Sequence, residues 1–528
     1  MPGADCDRGR RTLLKGAFAA AAAAAVPRAG AHEGIVVLRG GRVRGLREDG
    51  VWTFRGLRYG EDTAPNRFRP PRAAIAWHGV RDAVASGPAA AQTGGLGPGS
   101  EDCLFLDLWT PAPDPRARRP VLVYLHGGGY DRGRGADPLT DGGALCRHGD
   151  VVVVTLNHRL NAFGHLLLGN MDSAFAASGN AGLLDVVLAL CWVRDEIAAF
   201  GGDPGNVTLF GQSGGGAKIA SLMAMPAAAG LFHRAWTMSG QQVTAAGPRA
   251  ADRRARLYLD ALGIAPDALD RLLALPAERL LDATRVRDPS PVEDIALYFG
   301  PVLDGSALPR HPFWPDAPPQ SAAIPMVIGN TRDETRAFLG HDPALFALDW
   351  DALPARLERA QYVDLPVADV IAAYRAMYPA MTATEVFFAA TTAGRSWRGA
   401  VEELEARARQ GAPTWAYQLD WPSPVEGGRL RAFHTLDIPL VFGTVGRPGA
   451  RTGGGADAWR VSADMRDALL HFARHGTPAH PRLPDWPRYG LAQRETMRFD
   501  DPPALAHDPR GGERRLFARA PFVQRGTL

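Results

Sequence analysis

FGGDPGNVTLFGQSGG, residues 200–215, carries a Gly-x-Ser-x-Gly pentapeptide (Gly211, Gln212, Ser213, Gly214, Gly215) directly after the β-type run 206–210. A strand that ends this way can turn sharply into a helix and hold the serine hydroxyl outward as a nucleophile. Ser213 would then occupy a strained backbone region, and side chains at the flanking glycines would collide with the neighbouring strand and helix. Residues 218–225 read as the helix that follows, whose N-terminal amides and dipole favour an anion beside Ser213. The pentapeptide alone is a weak signal in a chain with 60 glycines, so the surrounding pattern has to carry the reading.

That pattern is strand, glycine-rich turn, helix, repeated. Residues 121–125 and 151–156 are short apolar runs of β-branched character, as expected of strands covered on both faces. Asn180 caps an amphipathic stretch in which Leu183, Val187, Leu190, Val193, Ile197 and Phe200 recur at helical steps before Gly201. Residues 326–329 and 415–419 read as later strands, and 250–281 and 367–378 as largely helical. Such alternation predicts an α/β fold with a mostly parallel central sheet flanked by helices, and ligands at the carboxyl ends of its strands. Residues 443–455 read as an exposed, mobile glycine-rich loop.

Composition narrows the function classes. The 528 residues are 46% hydrophobic and 22% charged with a formal net charge of +3, ordinary values for a folded soluble protein. Lys15 and Lys218 are the only lysines, and the arginines are interspersed with acids, so nothing points to nucleic acid. Arg10 and Arg11, an alanine-rich apolar run and Ala29-Gly30-Ala31 follow in the order of a twin-arginine export signal over residues 1–31. The apolar run is too short for a membrane span, so no stable membrane insertion is expected and the mature chain, 32–528, is expected in the periplasm or outside the cell. Removal of the signal takes Cys6 with it. Three cysteines then remain, an odd number, and a disulfide framework is not what holds this fold.

The predicted strand ends supply further chemistry. Residues 121–125 run into His126-Gly127-Gly128-Gly129-Tyr130, where bare amides could receive a developing oxyanion, as acyl transfer requires. Gly128, Gly129 and Gly214 are the oxyanion candidates. A serine nucleophile also needs a base and an orienting acid. Residues 326–329 lead to Asp333 and Glu334, and spacing does not separate the two. His434 precedes an apolar run at 438–442, but spacing does not single it out from His311, His341 or His471. His471 and His475 lie four apart on a predicted helix, without the glutamate or third ligand of a zinc site, and read as a solvated face.

Taken together these stretches resemble the type-B carboxylesterases, a family with the α/β-hydrolase fold that also includes cholinesterases. The resemblance runs through FGGDPGNVTLFGQSGG, EDCLFLDLWTP (101–111), HGGGY, LNHRLNAFG (156–164), the helix 182–204, GNTRDE, HTLDIPLVFG and DWPRYG (485–490). It implies a single catalytic domain with helical insertions over the active site, acting on small-molecule esters without cofactor or metal; a monomer is expected. It also implies Ser213 as nucleophile, Glu334 as acid and His434 as base, with Asp333 structural. Ser239 resembles a second serine near the acid, and Glu101 with Arg159 resembles a buried ion pair. Transacylation or lactone opening would use the same groups, whereas a non-catalytic binding relative would lack the serine that Ser213 supplies.

Three departures from the family pattern stand out. Gln212 replaces the usual glutamate, Asn161 and His165 replace a glycine and an aromatic, and the loop QTGGLGPGS (92–100) lacks the tryptophan with which cholinesterases hold a quaternary ammonium. Choline esters are therefore not expected as substrates. Leu297, Phe299 and Trp314 are candidate pocket liners.

Overall fold

The computed structural model describes residues 34–94, 99–289, 296–524 and 526–527. The predicted export signal, and part of the loop 92–100, lie outside them. Fourteen strands follow one another along the described residues: β1 (Ile35–Leu38), β2 (Gly41–Arg44), β3 (Leu46–Glu48), β4 (Val51–Arg58), β5 (Val80–Asp82), β6 (Phe105–Thr110), β7 (Arg119–Leu125), β8 (Val152–Leu156), β9 (Gly202–Gln212), β10 (Arg234–Met238), β11 (Met326–Thr331), β12 (Thr414–Leu419), β13 (Glu495–Phe499) and β14 (Ala504–His507). Eleven of them form one sheet in the order β14-β13-β12-β11-β10-β9-β7-β8-β6-β4-β3, and β1, β2 and β5 form a small separate sheet. From β8 to β13 all neighbours run parallel, and the antiparallel pairs lie at the two flanks.

The central strands read as continuous apolar runs because both of their faces are covered. In β7, Val121, Val123 and Leu125 enter the core on one face, and Leu122 and Tyr124 enter the core on the other. The first core is closed by the helix Ala181–Glu196, the second by Ala456–His475.

The Ala181–Glu196 helix is not amphipathic in the way its spacing suggests. The predicted positions are all buried, but so are Leu184, Val186, Ala189 and Cys191 between them, leaving little polar face. This helical stretch, Ser173–Phe200, is long and apolar enough to cross a membrane; 83% of its most apolar part is buried inside the fold. Asn180 does not cap it with its side chain. Its amide instead donates to Val302 O (2.7 Å) and Asp304 Oδ2 (2.8 Å), tying the helix start to a distant loop. Gly201 ends the segment at φ 84°, as expected.

Residues 250–281 divide into three helices, Pro248–Leu262, Leu269–Leu273 and Ala277–Ala283, which share an apolar core with Phe68 and Phe163. A second group, from Thr335–Leu339 to Ala383–Thr392, shares another apolar core with Leu516 and Phe517, whereas Arg398–Gln410 packs into the first core. The apolar run 438–442 is helical, within Asp437–Phe442. The glycine-rich segment 443–455 is largely exposed but is anchored by buried Thr444, Val445, Ala450 and Thr452. Cys103 and Cys146 are buried free thiols.

Candidate active site

β9 delivers Ser213 as the sequence predicts, with one shift. The helix after it begins at Gly214, four residues earlier than the spacing suggested, so the serine is its N-cap. Ser213 has φ 55° and ψ −127°, a conformation that non-glycine residues rarely adopt. Its amide donates to Met238 O (2.8 Å), which fixes the turn to the end of β10. The glycines allow the close approach: a Cβ on Gly215 would lie 1.9 Å from Leu125 O, and one on Gly214 would lie 2.0 Å from Gly129 O.

β11 ends in the acid loop. Glu334 is fully buried, and its Oε1 accepts from Thr331 N (2.9 Å) and Asn330 Nδ2 (3.3 Å). Its other oxygen, Oε2, receives the hydrogen bond of His434 Nδ1. The pairing leaves His434 Nε2 as the nitrogen available for proton transfer. Asp333 turns away and pairs with Arg336 at 3.4 Å, which separates the two carboxylates that spacing could not. His311, His341 and His471 each bond a backbone group elsewhere in the fold. Ser239, at φ 51°, accepts from the same Thr331 amide through its Oγ (3.2 Å), so it supports the acid loop through a shared donor.

Two cavities meet at His434. One, about 240 Å³, is lined by Ser213, Gly129, Gly214, Ser239 and His434, with Tyr298, Phe338, Tyr362 and Phe522 as apolar walls. The other, about 400 Å³, lies against Gln212, Gly128, Phe433 and the opposite side of His434. Atoms of Gly128 border the second cavity, and atoms of Gly129 and Gly214 border the one that holds Ser213.

Some predicted liners are displaced. Leu297 and Phe299 are buried in the apolar core of the 248–283 helices, and Trp314 is 57% exposed. Tyr298, half-buried between buried Leu297 and Phe299, is the one that reaches the cavity. Period-two alternation could have shown this. Tyr362 and Phe522 come from distant segments and left no local signal.

The expected Glu101–Arg159 pair does not form. Glu101 pairs with Arg67 (2.5 Å), and Arg159 with Asp185 (2.6 Å), each a bidentate guanidinium contact. The acidic partner of Arg159 lies on the Ala181–Glu196 helix that packs against its loop, and Arg67 reaches Glu101 from a loop 34 residues earlier.

The departures have structural counterparts. Asn161 has φ 46°, a left-handed position where glycine is at ease and asparagine is tolerated, and its Nδ2 donates to Ala91 O (2.9 Å). His165 packs edge-on to Tyr130 with ring centres 5.1 Å apart, keeping an aromatic contact, and burial pushes it down to about 3, so it is neutral. Among the described residues no group of three or more His, Cys, Asp or Glu side chains gathers as a metal site. His471 and His475 lie against each other, ring centres 4.4 Å apart and planes tilted by 43°.

The chain is similar to known proteins over nearly all of its length. A model of the carboxylesterase family matches residues 32–516. The chain is 36% identical to the para-nitrobenzyl esterase of Bacillus subtilis (strain 168) over 493 residues, covering 91% of this chain and 98% of that protein. It is 34% identical to the phenmedipham hydrolase of Pseudarthrobacter oxydans, covering 92% and 98%. The crystal structure of a Geobacillus stearothermophilus carboxylesterase superposes with a TM-score of 0.81 at 37% identity, covering 92% of this chain and all of that one.

Proposed function

We propose, from the premise that this chain belongs to the carboxylesterase family, that it hydrolyses carboxylic esters through a Ser213–His434–Glu334 triad and an acyl-enzyme intermediate. The observation that carries this reading is the hydrogen bond from His434 Nδ1 to fully buried Glu334, in a cavity that also holds Ser213. Glu334 fixes the imidazole tautomer, so the lone pair of Nε2 can take the Ser213 proton. The serine oxygen attacks the ester carbonyl, and its C–O bond forms as the carbonyl oxygen gains negative charge. The amides of Gly128, Gly129 and Gly214 receive that charge, each donor worth on the order of 3 kcal/mol in the transition state. His434 then returns the proton to the departing alcohol, and water repeats the cycle on the acyl-enzyme.

The two cavities divide the substrate. Aromatic walls around Ser213 and the second space behind His434 fit the two halves of an ester that straddles the histidine. The relatives named for para-nitrobenzyl esters and phenmedipham support an uncharged aromatic ester or carbamate as the first substrates to assay. Export through residues 1–31 belongs to the same proposal; replacing Arg10 and Arg11 together by lysine should leave the enzyme in the cytoplasm on fractionation.

The test is labelling with a fluorophosphonate probe, followed by a panel of p-nitrophenyl esters of graded acyl length. Wild type should label and turn over, and Ser213→Ala should do neither. Equal labelling of the two proteins would overturn the reading.

A further inference from the structure

Lys218 lies five positions after Ser213 on the helix Gly214–Leu222 and has no exposed surface. Its Nζ donates to Gly129 O (2.8 Å) and His126 O (3.2 Å), the carbonyls at the two ends of the glycine loop, and it stands 5.2 Å from the centre of the Tyr130 ring. Among the described residues no carboxylate pairs with it. The titratable side chains around it are Tyr130 and three histidines, His126, His158 and His165, all kept neutral by burial. Burial also pulls the Lys218 amine down to about 7. A buried amine without a charged partner is costly to place, so its position is best explained by what it holds.

What it holds is a loop whose every carbonyl is engaged. Gly127 O accepts from His126 Nδ1 (2.9 Å), and Gly128 O accepts from the amides of Asp131 (3.2 Å) and Arg132 (3.1 Å). Lys218 takes the remaining two, His126 O and Gly129 O. In a planar trans peptide the carbonyl and the next N–H point in opposite directions. Engaging Gly127 O and Gly128 O therefore aims the Gly128 and Gly129 amides the other way, and Lys218 fixes the peptide planes that flank them.

We propose that Lys218 is a positioning residue for ester hydrolysis, the donors on its Nζ clamping both ends of the 126–129 loop so that the Gly128 and Gly129 amides stay aimed at the developing oxyanion. The inference rests on Ser213 acting as the nucleophile beside that loop. Nothing in the acid–base chemistry requires Lys218, so its loss should be felt in the transition state and not in substrate binding.

The test compares full-length wild type, K218M, K218Q and S213A. K218M keeps the apolar length and removes every donor; K218Q keeps an uncharged donor. Expected for K218M is a fall in kcat of about 100-fold, with KM within about threefold of wild type. A trifluoromethyl ketone, which forms a tetrahedral adduct on the serine, should weaken by the same factor as kcat, and K218Q should fall between. If K218M does not fold, K218Q carries the test alone, with a smaller loss in kcat at constant KM. Unchanged kcat, or a loss confined to KM, or equal affinity of all variants for the ketone, would overturn the proposal. An inactive S213A beside a fully active K218M overturns this inference alone, whereas an active S213A overturns the serine reading itself.

Discussion

The side-chain amide of Gln212 lies 3.2 Å from Nε2 of His434, the nitrogen opposite the one bound to Glu334. The residue before the nucleophile therefore touches the proposed base directly. The Gln212 side chain carries no charge, whereas a glutamate in the same place would set a carboxylate against the ring and favour an imidazolium there. Gln212→Glu should move the acid limb of kcat/KM against pH upward by about one unit or more, while the plateau at alkaline pH stays within a few-fold. A pH profile that superposes on that of wild type would show that the contact has no weight.

Much of this site was legible because it sits at strand ends with short-range signals. Ser213 and the 126–129 loop are marked by glycines at which a Cβ would clash, as at Gly128, Gly214 and Gly215, or at which the backbone is left-handed, as at Gly129 with φ 63°, and such marks are local. The pairings were not local. Glu101 and Arg159 each bear a charge that needs a buried partner, but the partners, Arg67 and Asp185, were fixed by loop and helix packing that spacing does not encode. The choice of Glu334 over Asp333 likewise came from family likeness, and the structure supplies the reason: only one of two adjacent carboxylates can face the histidine while the other turns to Arg336. The helix was legible, but its expected amphipathic character failed where burial was complete. A helix covered on all sides loses the polar face that periodicity relies on, as residues 181–196 show.

The two adjacent carboxylates can be told apart by kinetics. Glu334→Gln removes the charge that holds His434 and should lower kcat by roughly 1,000-fold or more while barely changing KM. Asp333→Asn disturbs a largely buried pair with Arg336 that does not touch His434, and should leave kcat within a few-fold. Comparable losses in both would show that the acid had been assigned to the wrong residue.

The Arg159–Asp185 contact is nearly sealed from water, with 3% and 0% of the two side chains exposed. Asp185 accepts from both the backbone amide and the guanidinium of Arg159, so it orders the start of the 159–165 turn on which Asn161 and His165 sit. Removing one partner leaves a buried, uncompensated charge, at a cost of about 3–5 kcal/mol. Asp185→Asn should lower the denaturant midpoint accordingly, and the protein that remains folded should keep near-normal kcat. A stable but inactive variant would instead make the pair part of the catalytic machinery.

Asp437, three residues after His434, is fully buried, and one of its carboxylate oxygens has no hydrogen-bond partner. The other accepts from the Tyr417 hydroxyl at 3.3 Å. Burial, reinforced by the nearby Glu334 charge, pushes Asp437 up to about 7. The folded state thus holds a proton that the unfolded chain releases near pH 4. Between these values the folded state binds more protons, so stability falls as pH rises from about 4 to 7 and then levels off as far as this group is concerned. The full slope for one such group is about 1.4 kcal/mol per pH unit. Asp437→Asn mimics the protonated form without titrating. It should therefore gain stability relative to wild type as pH rises from 5 to 8, read as the difference in urea midpoint between the two proteins at each pH. A difference that does not change across this range would mean that Asp437 is ionised in the folded protein throughout, sharing its pocket with the Glu334 carboxylate as a second full charge.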